Sequence, residues 1–137
     1  MRLWHIDLIE FLPRSQLIAQ WRELNSIFKK QDVHILINYI YSYSKKYLFY
    51  YTQKVVDEMR KRCYNIYSWD NYNTYFADLE PTTERLVFRE HDDEYLKICY
   101  YNLREKYLRG QQDFTDDQWR MLNGFTMQKE ILNGTTI

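Results

Sequence analysis

Arg22 and Glu23 are the pair of side chains best placed for chemistry. They stand in QWRELNSIFKK, residues 20–30, where Trp21, Leu24 and Phe28 recur at i, i+3 and i+7 and mark one apolar stripe of a helix. The pair falls at the edge of that stripe. A glutamate there has two readings. One is a solvated ion pair with a neighbouring cation, which contributes little. The other is a proton-handling carboxylate aimed into a site. Arg22 divides in the same way between a structural pair and an anion contact. His34 carries an imidazole, a group suited to relaying protons, or it braces the turn after the helix. His5, Asp7 and Glu10 lack the spacing of a known ligand set, so no metal is expected. His5 and His91 read as structural, with His91 capping a helix start. Cys63 and Cys99 form neither a disulfide framework nor a metal box.

Four helical segments must position these residues. The first starts near Pro13, a residue suited to a first turn because its missing N–H costs nothing there. It runs to about Lys29 with Leu17, Trp21, Leu24 and Phe28 inward. The second covers about Lys45 to Cys63. Leu48, Thr52, Val55 and Met59 form its stripe, widened by Tyr51 and Val56, and its basic end opposes the helix dipole. The third opens on the acidic EHDDE and continues through Leu96, Tyr100, Leu103 and Tyr107 to Gly110. The fourth carries a capping box, Thr115 followed by Gln118, and runs to about Leu132 before Asn133-Gly134. Between the first two, DVHILINYIYSY reads as a short strand, an extended loop or a further helical turn. As a strand it would put Tyr39, Tyr41 and Tyr43 on one face, a stacking platform or a core rim. The Tyr100-Tyr101 pair reads as core. Residues 66–90 show no sustained period. The expectation is an all-α, compact helical bundle of three to four helices with long irregular connections, one domain over residues 1–137.

The 137 residues are enough to bury a core without staples. No signal peptide and no membrane span are read from the sequence, and a cytoplasmic protein is expected. Net charge is zero but polarised: residues 1–65 hold 11 Lys and Arg against 6 Asp and Glu, and residues 66–137 hold 8 against 13. A basic half can face a polyanion while the molecule stays neutral. KKQ (29–31), SKK (44–46) and RKR (60–62) are its densest cations. With 14 tyrosines, the surface is suited to stacking on flat partners as well as to packing.

Leu8 to His34 contains LI-x-x-L-x-x-x-x-L-x-A-x-W-R-E-L-x-x-x-F-x-x-x-x-x-H. This pattern resembles the pyrimidine-dimer DNA glycosylase family. DEMRKRCYNI (57–66) resembles a further E-x-x-K-R-G-F-N-I segment of that family, and His91 and LREK (103–106) extend the similarity at low identity. The opening MRLWHIDLIEFLPRSQL resembles a bacterial branch that begins MRLWH.

The resemblance implies an all-helical enzyme that binds ultraviolet-damaged duplex DNA, cuts the glycosidic bond of a pyrimidine dimer and nicks the resulting abasic site, without metal or cofactor. It implies that the nucleophile is the backbone amine at the chain's own N-terminus, here Met1, since Met before Arg2 is retained. An α-amino group has a pKa of about 8, so a useful fraction is neutral near pH 7. Glu23 is the implied proton-handling carboxylate beside it. Arg22, Arg2 and Arg14 flanking the implied site, His34, and Lys45 and Lys46 of the SKK patch are the expected DNA contacts, and a monomer acting on damaged double-stranded DNA is expected. The phage members carry a histidine where Gln16 stands and an arginine where Ser26 stands. Two other functions fit the sequence: a DNA-binding relative that has lost the chemistry, and a helical protein-interaction module.

Overall fold

The inward stripe of the first helix organises the molecule. The computed structural model describes residues 1–80 and 82–129. In it α1 spans Arg14–Lys30, and Leu17, Trp21, Leu24, Ile27 and Phe28 are buried along one side. Pro13 stands just before the helix, as its N-cap. Its position has no side-chain cap, and the start is held from a distance instead. Asp113 accepts from the Ser15 backbone N–H at 2.7 Å and from the Ser15 hydroxyl at 2.5 Å.

Helix α2, Lys45–Lys61, buries Leu48, Tyr51, Thr52, Val55, Val56 and Met59, the stripe expected from its spacing. It ends two residues before Cys63. The Cys63 N–H bonds the Arg60 carbonyl and the Tyr64 N–H bonds the Met59 carbonyl, both at 2.9 Å. This is a Schellman closure, with Cys63 left-handed at φ 62°. The segment that Cys63 occupies resembles a family pattern with glycine at this position, and the positive φ is the physical reason for glycine there.

A short helix, α3 (Asp70–Tyr75), lies inside residues 66–90, where no regular element was expected. Six residues are too few for a periodic signal. Aromatic packing holds it in place: Tyr72 meets Trp21 and Phe28, and Trp69 lies 5.2 Å from the Trp21 ring. Helix α4 spans Asp93–Leu108 and α5 spans Asp116–Gln128. Both halves of the Thr115–Gln118 capping box form. The expected extension of α5 to Leu132 lies outside the described residues.

Two 3-10 helices complete the described structure, Ile6–Phe11 and Asn38–Ser42. The second resolves the DVHILINYIYSY segment as a helical turn. Tyr39 and Tyr43 therefore pack against the core while Tyr41 faces outward, so the three rings share no platform. The Tyr100-Tyr101 pair also splits: Tyr100 is buried and Tyr101 is half exposed, as neighbours 100° apart on a helix must be. The fold is all-α among the described residues, as expected, with five α-helices rather than three to four. α1 packs against α2 and α3, and the 3-10 helix Ile6–Phe11 packs against α2 and α5.

Candidate functional site around Glu23 and the amino terminus

Gln20 builds the site. Its side chain is wholly buried, one turn before Glu23 on α1. Its carbonyl oxygen accepts the Trp4 N–H at 2.8 Å and the Tyr51 hydroxyl at 2.8 Å. Its amide nitrogen donates to the Arg2 carbonyl and to a Glu23 carboxylate oxygen, both at 3.1 Å. All of its hydrogen-bonding positions are used. A flipped amide would aim an oxygen at two other acceptors, so the orientation is fixed by its partners.

The rest of the N-terminal segment is fastened just as firmly. The Tyr51 hydroxyl shares its one proton between Gln20 Oε1 and the Trp4 carbonyl, 2.7 Å away, and the Tyr95 hydroxyl donates to the Leu3 carbonyl. Leu3 and Trp4 are buried. The chain therefore enters the core at residue 3 and leaves Met1 and Arg2 half-buried beside Glu23.

Glu23 is half-buried, and loss of hydration raises its pKa above the ordinary carboxylate value. The N-terminal ammonium, Arg22 and the Arg2 backbone N–H pull in the other direction without cancelling burial. Both of the cations that oppose the shift are therefore close enough to act on the carboxylate. The structure brings together Met1, Arg2, Arg22 and Glu23, residues chosen from the sequence for one site.

Arg2 turns partly inward. Its guanidinium lies 5.8 Å from the Trp4 ring centre and acts on Tyr95 and Cys99. Arg14 and Arg22 line one cleft of about 560 Å³ with Trp21, Tyr64 and Tyr67, and Arg14 stacks over the Tyr64 ring at 4.6 Å. The Trp21 indole N–H donates to the Tyr67 carbonyl, which closes that wall. A larger cleft of about 710 Å³ has walls of mixed charge and holds none of the residues expected from the sequence to act.

His34 is exposed and sits at the far end of α1. Its Nδ1 accepts the Leu36 N–H, and its own backbone N–H bonds Asn38 Oδ1 at 2.8 Å. Lys45 reaches back to the Tyr75 carbonyl at 3.0 Å and lies 4.2 Å over the Tyr75 ring. Lys46 is exposed. These three do not converge on Glu23. Ser26 is bonded to Asp32, and Gln16 is paired amide to amide with Gln111.

His91 does not cap α4; Asp92 does, accepting the Tyr95 N–H at 2.9 Å. His91 is buried instead, and its Nδ1 accepts the Ile6 N–H at 3.1 Å. The proton of the neutral ring therefore sits on Nε2, which faces the Tyr39 hydroxyl at 2.7 Å. Burial, then the neighbouring His5, push its pKa down to about 3. His5 is also buried and accepts the Asp7 N–H. Among the described residues no group of three or more His, Cys, Asp or Glu is placed to hold a metal ion. Nor is any described helix long and apolar enough to cross a membrane.

Sequence reasoning missed Gln20, Tyr51 and Tyr95. Each reads as one more polar or aromatic residue on an apolar face. The one available signal is a glutamine within a run of core positions, since a buried amide needs partners.

Residues 1–70 match the family model described as pyrimidine dimer DNA glycosylase. No curated protein and no solved structure matches the chain. The family match covers half of the chain, and the chain belongs to the pyrimidine dimer DNA glycosylase family.

Proposed function

We propose that this family member is a DNA glycosylase with abasic-site lyase activity, working through its N-terminal amine. The observation that carries the reading is the placement of Glu23 beside the amino terminus, with one amide, Gln20, bonded to both the carboxylate and the Arg2 carbonyl.

The neutral amine of Met1 adds its lone pair to the sugar C1′ and the C1′–base bond breaks, the base leaving with the electron pair. The amine proton passes to the ring oxygen as the sugar opens, and a C1′ iminium remains. The iminium acidifies C2′–H. Loss of that proton and departure of the 3′ phosphate break the strand by β-elimination. Water then hydrolyses the imine and returns the amine. Glu23 is the group at hand to move these protons and to offset the developing cation. Its raised pKa suits it to exchanging protons closer to neutrality than an ordinary carboxylate.

Arg22 and Arg14, on the adjoining cleft, are the proposed phosphate contacts, and Arg2 supports the amine from its half-buried position. His34, Lys45 and Lys46 contact the duplex further along α1. Damaged duplex is the proposed substrate because a distorted step is the cheapest to open.

Masking the amine tests this reading. Tag-free protein should nick an abasic-site duplex, and the same chain carrying one extra N-terminal residue should not. Equal nicking by both proteins would contradict it.

A further inference from the structure

The turn after α1 carries a cluster of exposed apolar side chains. Val33 is 78% exposed, Ile35 86% and Leu36 40%. Single exposed aliphatic residues are ordinary. Three within four residues at the tip of one turn need a reason, because the same turn would form with polar residues there.

The turn is tightly pinned. The Ile37 and Asn38 N–H groups both bond the His34 carbonyl at 2.9 Å, and the His34 ring and the Asn38 side chain hold the Leu36 and His34 N–H groups. At its base the Asp32 carbonyl accepts the Tyr41 hydroxyl, and the Asp32 carboxylate bonds Ser26. A tip held this way presents its apolar side chains in a fixed direction and loses little freedom on contact.

Its position relates it to Glu23. Ser26 is three residues from Glu23 on the same helix face, about 5–6 Å between Cβ atoms. Asp32 bonds Ser26, and Val33 is the next residue along. The Asp32–Ser26 bond therefore ties the base of the tip back to the α1 face that carries Glu23. Exposed cations flank it: Lys29 and Lys30 in the last turn of α1, and Lys45 and Lys46 at the start of α2. Lys45 belongs to this end of the molecule through Tyr75, which lies against Phe28.

We infer that the Val33–Leu36 tip is a wedge that enters an unstacked step of duplex DNA beside the lesion, with the lysines holding the flanking phosphates. This inference rests on the reading of the protein as acting on damaged duplex. Apolar side chains inserted between bases replace the lost stacking surface and kink the duplex. Lysines on either side supply non-specific affinity that falls with salt. Such a wedge gives an enzyme with a small apolar tip a way to find steps that already unstack easily.

The test uses full-length protein and a duplex with 2-aminopurine beside an abasic site. Occupancy is held at saturation by anisotropy. Binding of the native protein should raise 2-aminopurine fluorescence as the neighbouring step opens. Val33→Ser with Ile35→Ser should lose that rise while still saturating the duplex and keeping the native unfolding midpoint, since both side chains are exposed. Lys45→Gln should lower the salt slope of binding by about 1 and keep the rise at saturation. An equal rise in the double variant, no rise with the native protein at saturation, or no duplex binding at low salt would each overturn the wedge. Strand nicking is scored separately. A rise without nicking would contradict the lyase reading and leave the wedge standing.

Discussion

Gln20 and Glu23, one turn apart on α1, are joined by a 3.1 Å hydrogen bond in which the Gln20 amide donates to the carboxylate. The same nitrogen donates to the Arg2 carbonyl. The carboxylate and the amino-terminal segment are thus registered through a single buried side chain. Gln20→Leu should orphan the buried Trp4 N–H and cost about 1–3 kcal/mol for that group alone. Tyr51→Phe should be milder, because Gln20 keeps its other partners. In both variants the loss of nicking on abasic DNA should exceed what the fall in folded population explains. Urea unfolding and single-turnover nicking at one temperature measure the two effects. Nicking that tracks the folded fraction would show Gln20 to be structural only.

Glu23→Gln should separate stability from activity. Burial raises the pKa of Glu23 in the folded chain, so the folded state binds protons more readily than the unfolded one. At neutral pH its charge therefore opposes folding. The Gln variant keeps an acceptor for Gln20 and should be as stable as the native protein or slightly more so. Its turnover should fall by about 10²–10⁴-fold, the range for a lost acid–base group. The native rate should show on acidification a limb, above the ordinary carboxylate value, that Glu23→Gln lacks. Profiles of one shape for both proteins would remove Glu23 from the proton chemistry.

His91 makes the fold sensitive to acid. Its folded pKa is pushed down to about 3, against an ordinary value near 6.5. A lowered histidine pKa means that the unfolded chain binds the proton first. Stability should therefore be complete above about pH 6.5 and decline steadily from there towards pH 3, by a few kcal/mol at most. Asp113 adds to the decline at the acid end. Its burial raises its pKa, but the bonds from Ser15 and Gln111 outweigh that and hold it below its ordinary value. Its contribution is present above the ordinary carboxylate range and is lost as pH falls through the lowered value. Urea midpoints measured from pH 7 to pH 4 should fall for the native protein and fall less steeply for His91→Gln.

Cys63 is a non-glycine residue in a left-handed position that closes α2. Cys63→Gly should relieve the strain of that conformation and raise stability by about 0.5–1 kcal/mol, net of glycine's greater freedom when unfolded. Its side chain is exposed, so little packing is lost. A lower unfolding midpoint in the glycine variant would mean that the thiol makes a contact worth more than the strain.

Where a residue's role follows from spacing, the sequence was enough. The stripes of α1 and α2, and the Thr115–Gln118 box, repeat at helical intervals and were read correctly. α3 was not legible because Asp70–Tyr75 is held by rings from α1, contacts that no local pattern records. Tyr101 was misread because the Tyr100-Tyr101 pair was taken together, although only Tyr100 lies on the α4 stripe, and the side of Tyr41 stayed open because it depends on whether the backbone is strand or 3-10. Within the site, Glu23 stood out by its place on the stripe and by the family pattern around it. Gln20 did not. Its role depends on residues 2, 4 and 51 arriving from elsewhere in the chain, and a single buried glutamine is silent until they are placed.

Borohydride trapping on abasic-site duplex DNA, using tag-free protein, tests the central claim most directly. The expected result is a covalent adduct that maps to the amine of Met1, forms more slowly in Gln20→Leu and disappears when the N-terminus is extended. Folded protein that binds the duplex but yields no adduct, or an adduct mapped to a lysine side chain, would contradict it.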